Sequence, residues 1–225
     1  MKNKEYEKAI KYLMEQIKQG VLTIGSRLPA ERTIAETLSI SRNSTREALR
    51  TLENMGIIES RRGSGNYLIC NFSNTISNMM NMMILLRKTS PKEICEFRRQ
   101  MEKTTCSIII KRNCISTIAL ENILNQTPHT ADEESAQDKD FHYRLIHMTE
   151  NQILISIMEA IHDSYVECIH NTLRASDKKT KLLLNQCHKN IAASIKEKDI
   201  EKLYDAIDSH YDIIENTFDS PPQND

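Results

Sequence analysis

Apolar residues recur at helical spacing from the start of the chain. Tyr6, Ile10, Leu13, Met14 and Ile17 mark one face of a helix over residues 3–19, and Gly20 ends it. Thr23-Ile24-Gly25-Ser26 reads as a turn. A short helix follows Pro29, from Glu31 to Leu38, with Ile34, Ala35 and Leu38 inward. After a turn at Ser39-Ile40, Ser41 is placed to cap a helix running to about Met55. Ala48, Leu49, Leu52 and Met55 form its apolar stripe, and Gly56 closes it. Residues 57–60 and 66–69 then read as two short strands joined by Arg61-Arg62-Gly63-Ser64-Gly65.

From about Ser73 the pattern is helical throughout. The spacing predicts helices near 74–87, 91–112, 116–126, 134–149, 151–173, 177–197 and 200–217. Pro91 and Pro128 fall at helix starts or breaks, Asp199 is placed to cap the last helix, and residues 129–137 read as a polar connection. The fold class is therefore mainly α: an N-terminal winged helix-turn-helix over residues 1–72 and an antiparallel all-helical bundle over 73–220. The tail 221–225 is expected to be disordered.

Composition supports this division. All five glycines lie before residue 66, where turns and a wing are needed, and none follows. The net charge of -1 conceals a split: residues 1–72 carry +4 and the rest -5. A basic front and an acidic back suggest different partners, and the basic part permits nucleic-acid contact. The six cysteines have no paired spacing, so free thiols in the cytoplasm are expected. No apolar run approaches a membrane span, and no membrane partner is expected.

Helix, short helix, turn, longer helix and hairpin is the order of a winged helix-turn-helix. The second helix of such a unit enters the major groove and reads it from its N-terminal residues. Here those are Ser41, Arg42, Asn43, Ser44 and Arg46. Arginine reads guanine bidentately, asparagine reads adenine, and hydroxyls bond bases or phosphates. Arg61 and Arg62 beside Gly63 make a flexible cationic tip suited to phosphate or the minor groove. Any one of these residues taken alone is more simply a solvated polar side chain. The ordered set is what carries the reading.

All seven histidines lie after residue 128. Asp138 and His142 are one turn apart on one helix, so both emerge on the same face. His188 and His210, on two later helices, are spaced as an antiparallel pair would need. Three imidazoles and a carboxylate suit a divalent ion, Zn first, with Ni or Mn as alternatives. Spacing alone leaves open an ordinary Asp–His hydrogen bond and two unrelated histidines. His147, His162 and His170 read as surface or packed histidines, and Met79, Met80, Met82 and Met83 as core or interface filling. No nucleophile elbow, phosphate-binding glycine loop or HExxH motif is present, which argues against common enzyme classes.

The run Leu28-Pro29-Ala30-Glu31-Arg32, Ile34-Ala35, Leu38, Ser41 to Leu49, Leu52-Glu53, Gly56 and Arg61 to Gly65 resembles the DNA-binding half of GntR-type bacterial regulators. Glu96-Phe97-Arg98, Glu102, Asp138, Phe141-His142, Asn151, His188 and His210 resemble the effector (FCD-type) domain of the family's FadR-like branch. The resemblance implies a dimeric regulator, repressor or activator, on a palindromic double-stranded DNA operator. It implies DNA contacts at Arg32, Arg42 and Arg46, with Ser41, Asn43, Ser44, Arg62 and Gly63 alongside. It also implies metal ligation by Asp138, His142, His188 and His210, and a small carboxylate effector facing Arg98. Long-chain acyl ligands belong to members without the full metal set, so the intact set implies a small acid. Lys198 departs from the glycine usual before Asp199.

Two rival readings fit the same residues. In one, the metal itself is the signal. In the other, the chain is a metal-dependent hydrolase with a DNA-binding tether. The latter needs an open coordination position and a general base. The nearest spare carboxylate, Asp140, falls on another helix face from Asp138.

Overall fold

The computed structural model describes residues 3–112 and 116–218, without the side chains of 3, 4, 165–175 and 218. The expected disordered tail, Cys114, and the side chains of Cys168 and His170 lie outside the described residues. The order is α1 (Asn3–Lys18), α2 (Glu31–Leu38), α3 (Arg42–Asn54), β1 (Ile58–Arg61), β2 (Gly65–Leu68), α4 (Ser73–Leu85), α5 (Pro91–Lys111), α6 (Ile118–Leu124), α7 (Ala131–His147), α8 (Gln152–Ala175), α9 (Lys178–Glu197) and α10 (Ile200–Phe218). Two compact units result, Met1–Ile76 and Ser77–Asp225. The division falls inside α4, whose first turn is bonded into the first unit by Thr75 Oγ1 donating to the Asn54 carbonyl.

In the first unit α1, α2 and α3 close over Ala9, Leu13, Leu28, Ile34, Ala48, Leu49 and Leu52, with Ile58 and Leu68 from the hairpin. Met55, placed in the apolar stripe by its spacing, is 48% exposed instead. The helix has already ended at Asn54, so the residue no longer follows the helical period. Gly56 closes the helix with φ 71°, and a Cβ there would stand 1.9 Å from the Asn71 carbonyl oxygen, so only glycine fits. The β1–β2 ladder is antiparallel, with Ile58 opposite Leu68 and Arg61 opposite Gly65. Gly25 and Ser26, expected to be only turn, pair with β2 together with Leu28: Gly25 N donates to Leu68 O, Leu68 N to Ser26 O and Leu28 N to Asn66 O.

The second unit is the helical bundle. α10 packs on α9 and α5, and α7 packs on α8 and α6. Its core holds Phe141, Leu145, Ile191, Ile195, Leu203, Ile207 and Tyr211, all at most 1% exposed. Arg99 on α5 reaches Asp212 (2.8 Å) and Glu215 (3.1 Å) on α10, and Lys103 reaches Asp208 (2.6 Å), which fixes the α5–α10 register.

One boundary departs from the spacing. α7 begins at Ala131, so most of the expected polar connection is helix. Thr130 caps it by accepting from Glu133 N, and Asp132, Glu133 and Glu134 complement the dipole of the first turn. A first turn this acidic looks like loop when only apolar period is counted. Asp199 does cap α10, accepting from Lys202 N, while Lys198 takes the left-handed conformation at φ 58° where glycine would be unstrained.

Candidate DNA-reading surface and metal centre

Two sets of side chains, one in each unit, stand out. On α3, Ser41 accepts from the Ser44 backbone N–H at 3.1 Å and so caps the helix. Arg42, Asn43, Arg46 and Arg50 are exposed. Arg42, Arg46 and Arg50 stand four residues apart, so they form one cationic row along the helix. Arg50 lies beyond the first turn of α3, where base-reading residues are expected, and only the four-residue repeat from Arg42 and Arg46 points to it. Arg46 lies 2.8 Å from Glu31 and Arg32 3.1 Å from Glu36, both exposed pairs that water and salt screen easily. Arg62 and Gly63 are exposed at the hairpin tip.

Ser44 is placed differently from its neighbours. It is 5% exposed, and its hydroxyl donates to Glu5 Oε2 at 2.8 Å. The Ser41 backbone N–H donates to the same oxygen at 3.3 Å. These bonds, Ser44's first, lower the Glu5 carboxyl from its ordinary value. The pair ties α1 to the start of α3, so Ser44 serves the scaffold behind the exposed row.

In the bundle, α7 supplies Asp138 and His142, α9 supplies His188, and α10 supplies His210. One potential ligand atom from each lies within 4.8 Å of all the others. His188 Nε2 and His210 Nε2 are 2.9 Å apart, and Asp138 Oδ1 is 3.5 Å from His188 Nε2 and 3.6 Å from His142 Nε2. Four ligands at tetrahedral bond lengths from one ion would stand about 3.4 Å from each other. The three imidazoles are each at most 5% exposed. His142 Nε2 and His210 Nδ1 are buried without a hydrogen-bond partner. The set therefore fits a divalent ion by donor type and separation.

Behind His142 stands Glu102 of α5. Its Oε2 is 2.9 Å from His142 Nδ1 and accepts from the Tyr211 hydroxyl at 2.9 Å. With Nδ1 held, Nε2 is left facing Asp138. Burial alone would raise the Glu102 carboxyl, but His142's charge and hydrogen bond, with His210 and Tyr211, bring it to about 2. Burial likewise opposes the His142 cation, yet Glu102 and Asp138 raise it to about 9. His188 is lowered to about 4 by burial, so it is neutral at pH 7 and free to donate a lone pair.

Two spaces adjoin the cluster. An enclosed cavity of about 10 Å³, room for a single water, is lined by Arg98, Glu102, Thr105, His142, Leu145, Ile146, Met158, His162 and Tyr211. An open cleft of about 530 Å³ reaches Asp138 and His188 from another side, past Lys178, Lys181 and Lys189. Arg98 is 2% exposed in the wall of the first, within the field of Asp138 and Glu102. His162 is 2% exposed and lies beside it.

Residues 5–68 match the family described as bacterial regulatory proteins, gntR family, and residues 93–213 match the FCD domain. The chain belongs to the GntR family. Its second unit is an FCD domain. The chain is 30% identical over 164 residues to the Uxu operon regulator of Haemophilus influenzae, covering 71% of this chain and 60% of that one. It is 28% identical over 160 residues to the HTH-type transcriptional regulator LutR of Bacillus subtilis, covering 69% of this chain and 73% of that one. The Exu regulon transcriptional regulator of Escherichia coli is 29% identical over 174 residues, covering 73% and 66%. The matches to the Uxu and Exu regulators thus span under two thirds of those proteins. A solved GntR structure from Streptococcus agalactiae shares the fold, with TM-score 0.68, 21% identity, and coverage of 94% of this chain and 99% of that one. Among the described residues, no helix is long and apolar enough to cross a membrane.

Proposed function

We propose that the chain is a ligand-responsive transcriptional regulator that binds a palindromic operator as a dimer. Its effector is a small organic acid held at a metal ion in the FCD domain. The carrying observation is the buried convergence of Asp138, His142, His188 and His210 with the Arg98 guanidinium close by. A bound ion would replace the proton on His142 and anchor a carboxylate, which Arg98 pairs with bidentately. Asp138, His142, His188 and His210 would hold the ion, zinc first with nickel or manganese as alternatives, and it would supply positive charge for the acid's carboxylate.

The DNA-reading residues are Arg32, Ser41, Arg42, Asn43 and Arg46, joined by Arg50, with Arg62 and Gly63 at the wing. Ser44 acts by holding α3 on α1. The dimer is supported by the apolar side chains left exposed on and after α4: Met79, Met82, Met83, Leu85 and Leu86. Residues 1–72 form the DNA-binding domain and 73–220 the effector and dimerisation domain.

A gel shift with the DNA upstream of the chain's own gene tests this. Specific binding that changes when metal and a small acid are supplied is the expected result, and no specific binding by folded protein at any salt refutes it. The 10 Å³ cavity favours one rival, in which the metal alone is the signal. That rival is established if metal toggles operator affinity and no acid alters either affinity or thermal stability.

A further inference from the structure

The wing is braced along both edges of β2, by β1 on one side and by the segment from Gly25 to Leu28 on the other. Within that segment Arg27 stands opposite Tyr67 in an antiparallel bridge. Opposed residues share a face of a sheet, and neighbours along a strand alternate between faces. Leu28 and Leu68 are buried in the core, so Arg27 and Tyr67 lie on the outer face. Arg27 is exposed, and its side chain runs diagonally toward the hairpin tip: a Cβ on Gly65 would stand 3.0 Å from Arg27 Nε. Gly65, at φ 112°, leaves that space open. Beyond it lie Arg62, Gly63 and Ser64, the loop between the strands.

The neighbours of Arg27 on this face are engaged with one another. The Tyr67 and Ser64 hydroxyls are 2.6 Å apart, and Arg61 lies over the Tyr67 ring at 4.4 Å. Glu59, opposite Tyr67 on β1, is taken by Arg61 Nε at 2.8 Å. Arg27 is left presenting its charge to solvent at the base of the tip.

We propose that Arg27 is a DNA-backbone contact that binds a phosphate at the rim of the groove the wing tip meets. The inference rests on the reading of the first unit as a DNA-binding domain. Arg27 precedes α2 and is outside the hairpin in sequence, and only its pairing with β2 brings it to the wing. The guanidinium fork suits two phosphate oxygens. Held on a braced sheet, it has less freedom to lose on binding than a cation on a loose loop. It reaches Gly65 and stops short of the tip, a position that suits the backbone better than a base edge. A phosphate contact carries no sequence information, so Arg27 adds affinity for specific and unrelated DNA alike.

The test is a salt titration by fluorescence anisotropy on the full chain with two labelled duplexes, the DNA upstream of its own gene and an unrelated sequence. Arg27→Ala is expected to reduce the slope of log affinity against log salt by about 0.9 on both. The deficit relative to wild type then grows about eightfold for each tenfold fall in salt. Arg27→Lys keeps the charge and is expected to restore the slope. Melting curves check the fold, and Arg27→Gln serves if the alanine variant does not fold. An unchanged slope in the folded neutral variant overturns the proposal. A loss confined to the upstream DNA at unchanged slope overturns it too, because that is base reading. A lysine variant with a slope as low as that of the neutral one makes the role structural and also overturns it. A wild type that binds neither duplex at any salt overturns the DNA-binding reading itself.

Discussion

The Glu102 carboxylate meets His142 Nδ1 at 2.9 Å across the α5–α7 contact, with both side chains at most 5% exposed. This bond chooses which imidazole nitrogen faces Asp138, His188 and His210. Orienting partners of this kind are worth about 10- to 100-fold in metal affinity. Glu102→Gln is expected to weaken zinc binding by that factor in a chelator competition, and Tyr211→Phe by less. Unchanged affinity in Glu102→Gln would show that His142 is positioned by packing alone.

The ion is expected to stabilise the bundle. A ligand at 100 times its dissociation constant adds about 2.7 kcal/mol to a state that it binds selectively. Chelation should therefore lower the melting temperature of wild type, and Asp138→Ala should melt at one temperature with or without zinc. A wild-type melting curve indifferent to zinc argues against a metal centre here.

Arg50 and Ser44 separate reading from scaffolding. Arg42→Ala, Arg46→Ala and Arg50→Ala should each weaken operator binding, and any of them that contacts phosphate reduces the salt slope by about 1. Ser44→Ala should lower thermal stability instead, because its hydroxyl is committed to Glu5. Anisotropy titrations at several salt concentrations, beside melting curves, distinguish the two. A Ser44→Ala variant of wild-type stability with lost DNA affinity would return Ser44 to the reading face.

The same Glu5 contact gives the first unit a pH dependence. The folded carboxyl is held below its ordinary value, chiefly by the Ser44 hydrogen bond. Its contribution is therefore fully present above the ordinary carboxylate range and lost as pH falls through the lowered folded value. Glu5→Gln should flatten the acid side of the stability profile and leave the slope near pH 7 unchanged. A profile identical to wild type below pH 5 would show that the bond adds nothing.

Much of this was legible in the sequence, for identifiable reasons. The Asp138–His142 pair is fixed by helical period alone, and the cap at Asp199 is a local signal. What was not legible is long-range or locally disguised. Glu102 and His142 lie on different helices, and no period links them. Nothing near Ser44 announces that its partner is Glu5 on α1. Gly25 and Ser26 look like turn alone until β2 offers them a pairing edge. The start of α7 carries no apolar repeat, because Asp132, Glu133 and Glu134 fill its first turn with charge. The spacing left His162 as either a surface or a packed histidine, and only the three-dimensional fold buries it, at 2% exposed.

In the proposed switch the metal-ligand cluster in the bundle controls the DNA-binding unit, and a coupled titration reads that control. Operator affinity is measured on zinc-loaded wild type and on His188→Ala, each with and without the acid that binds most tightly. Wild-type affinity is predicted to change by about 5- to 150-fold on adding acid, the usual range of coupling between two sites. The variant should still bind DNA and not respond. An operator affinity that is the same in wild type with zinc, with zinc and acid, and with neither would show that the bundle site does not control DNA binding.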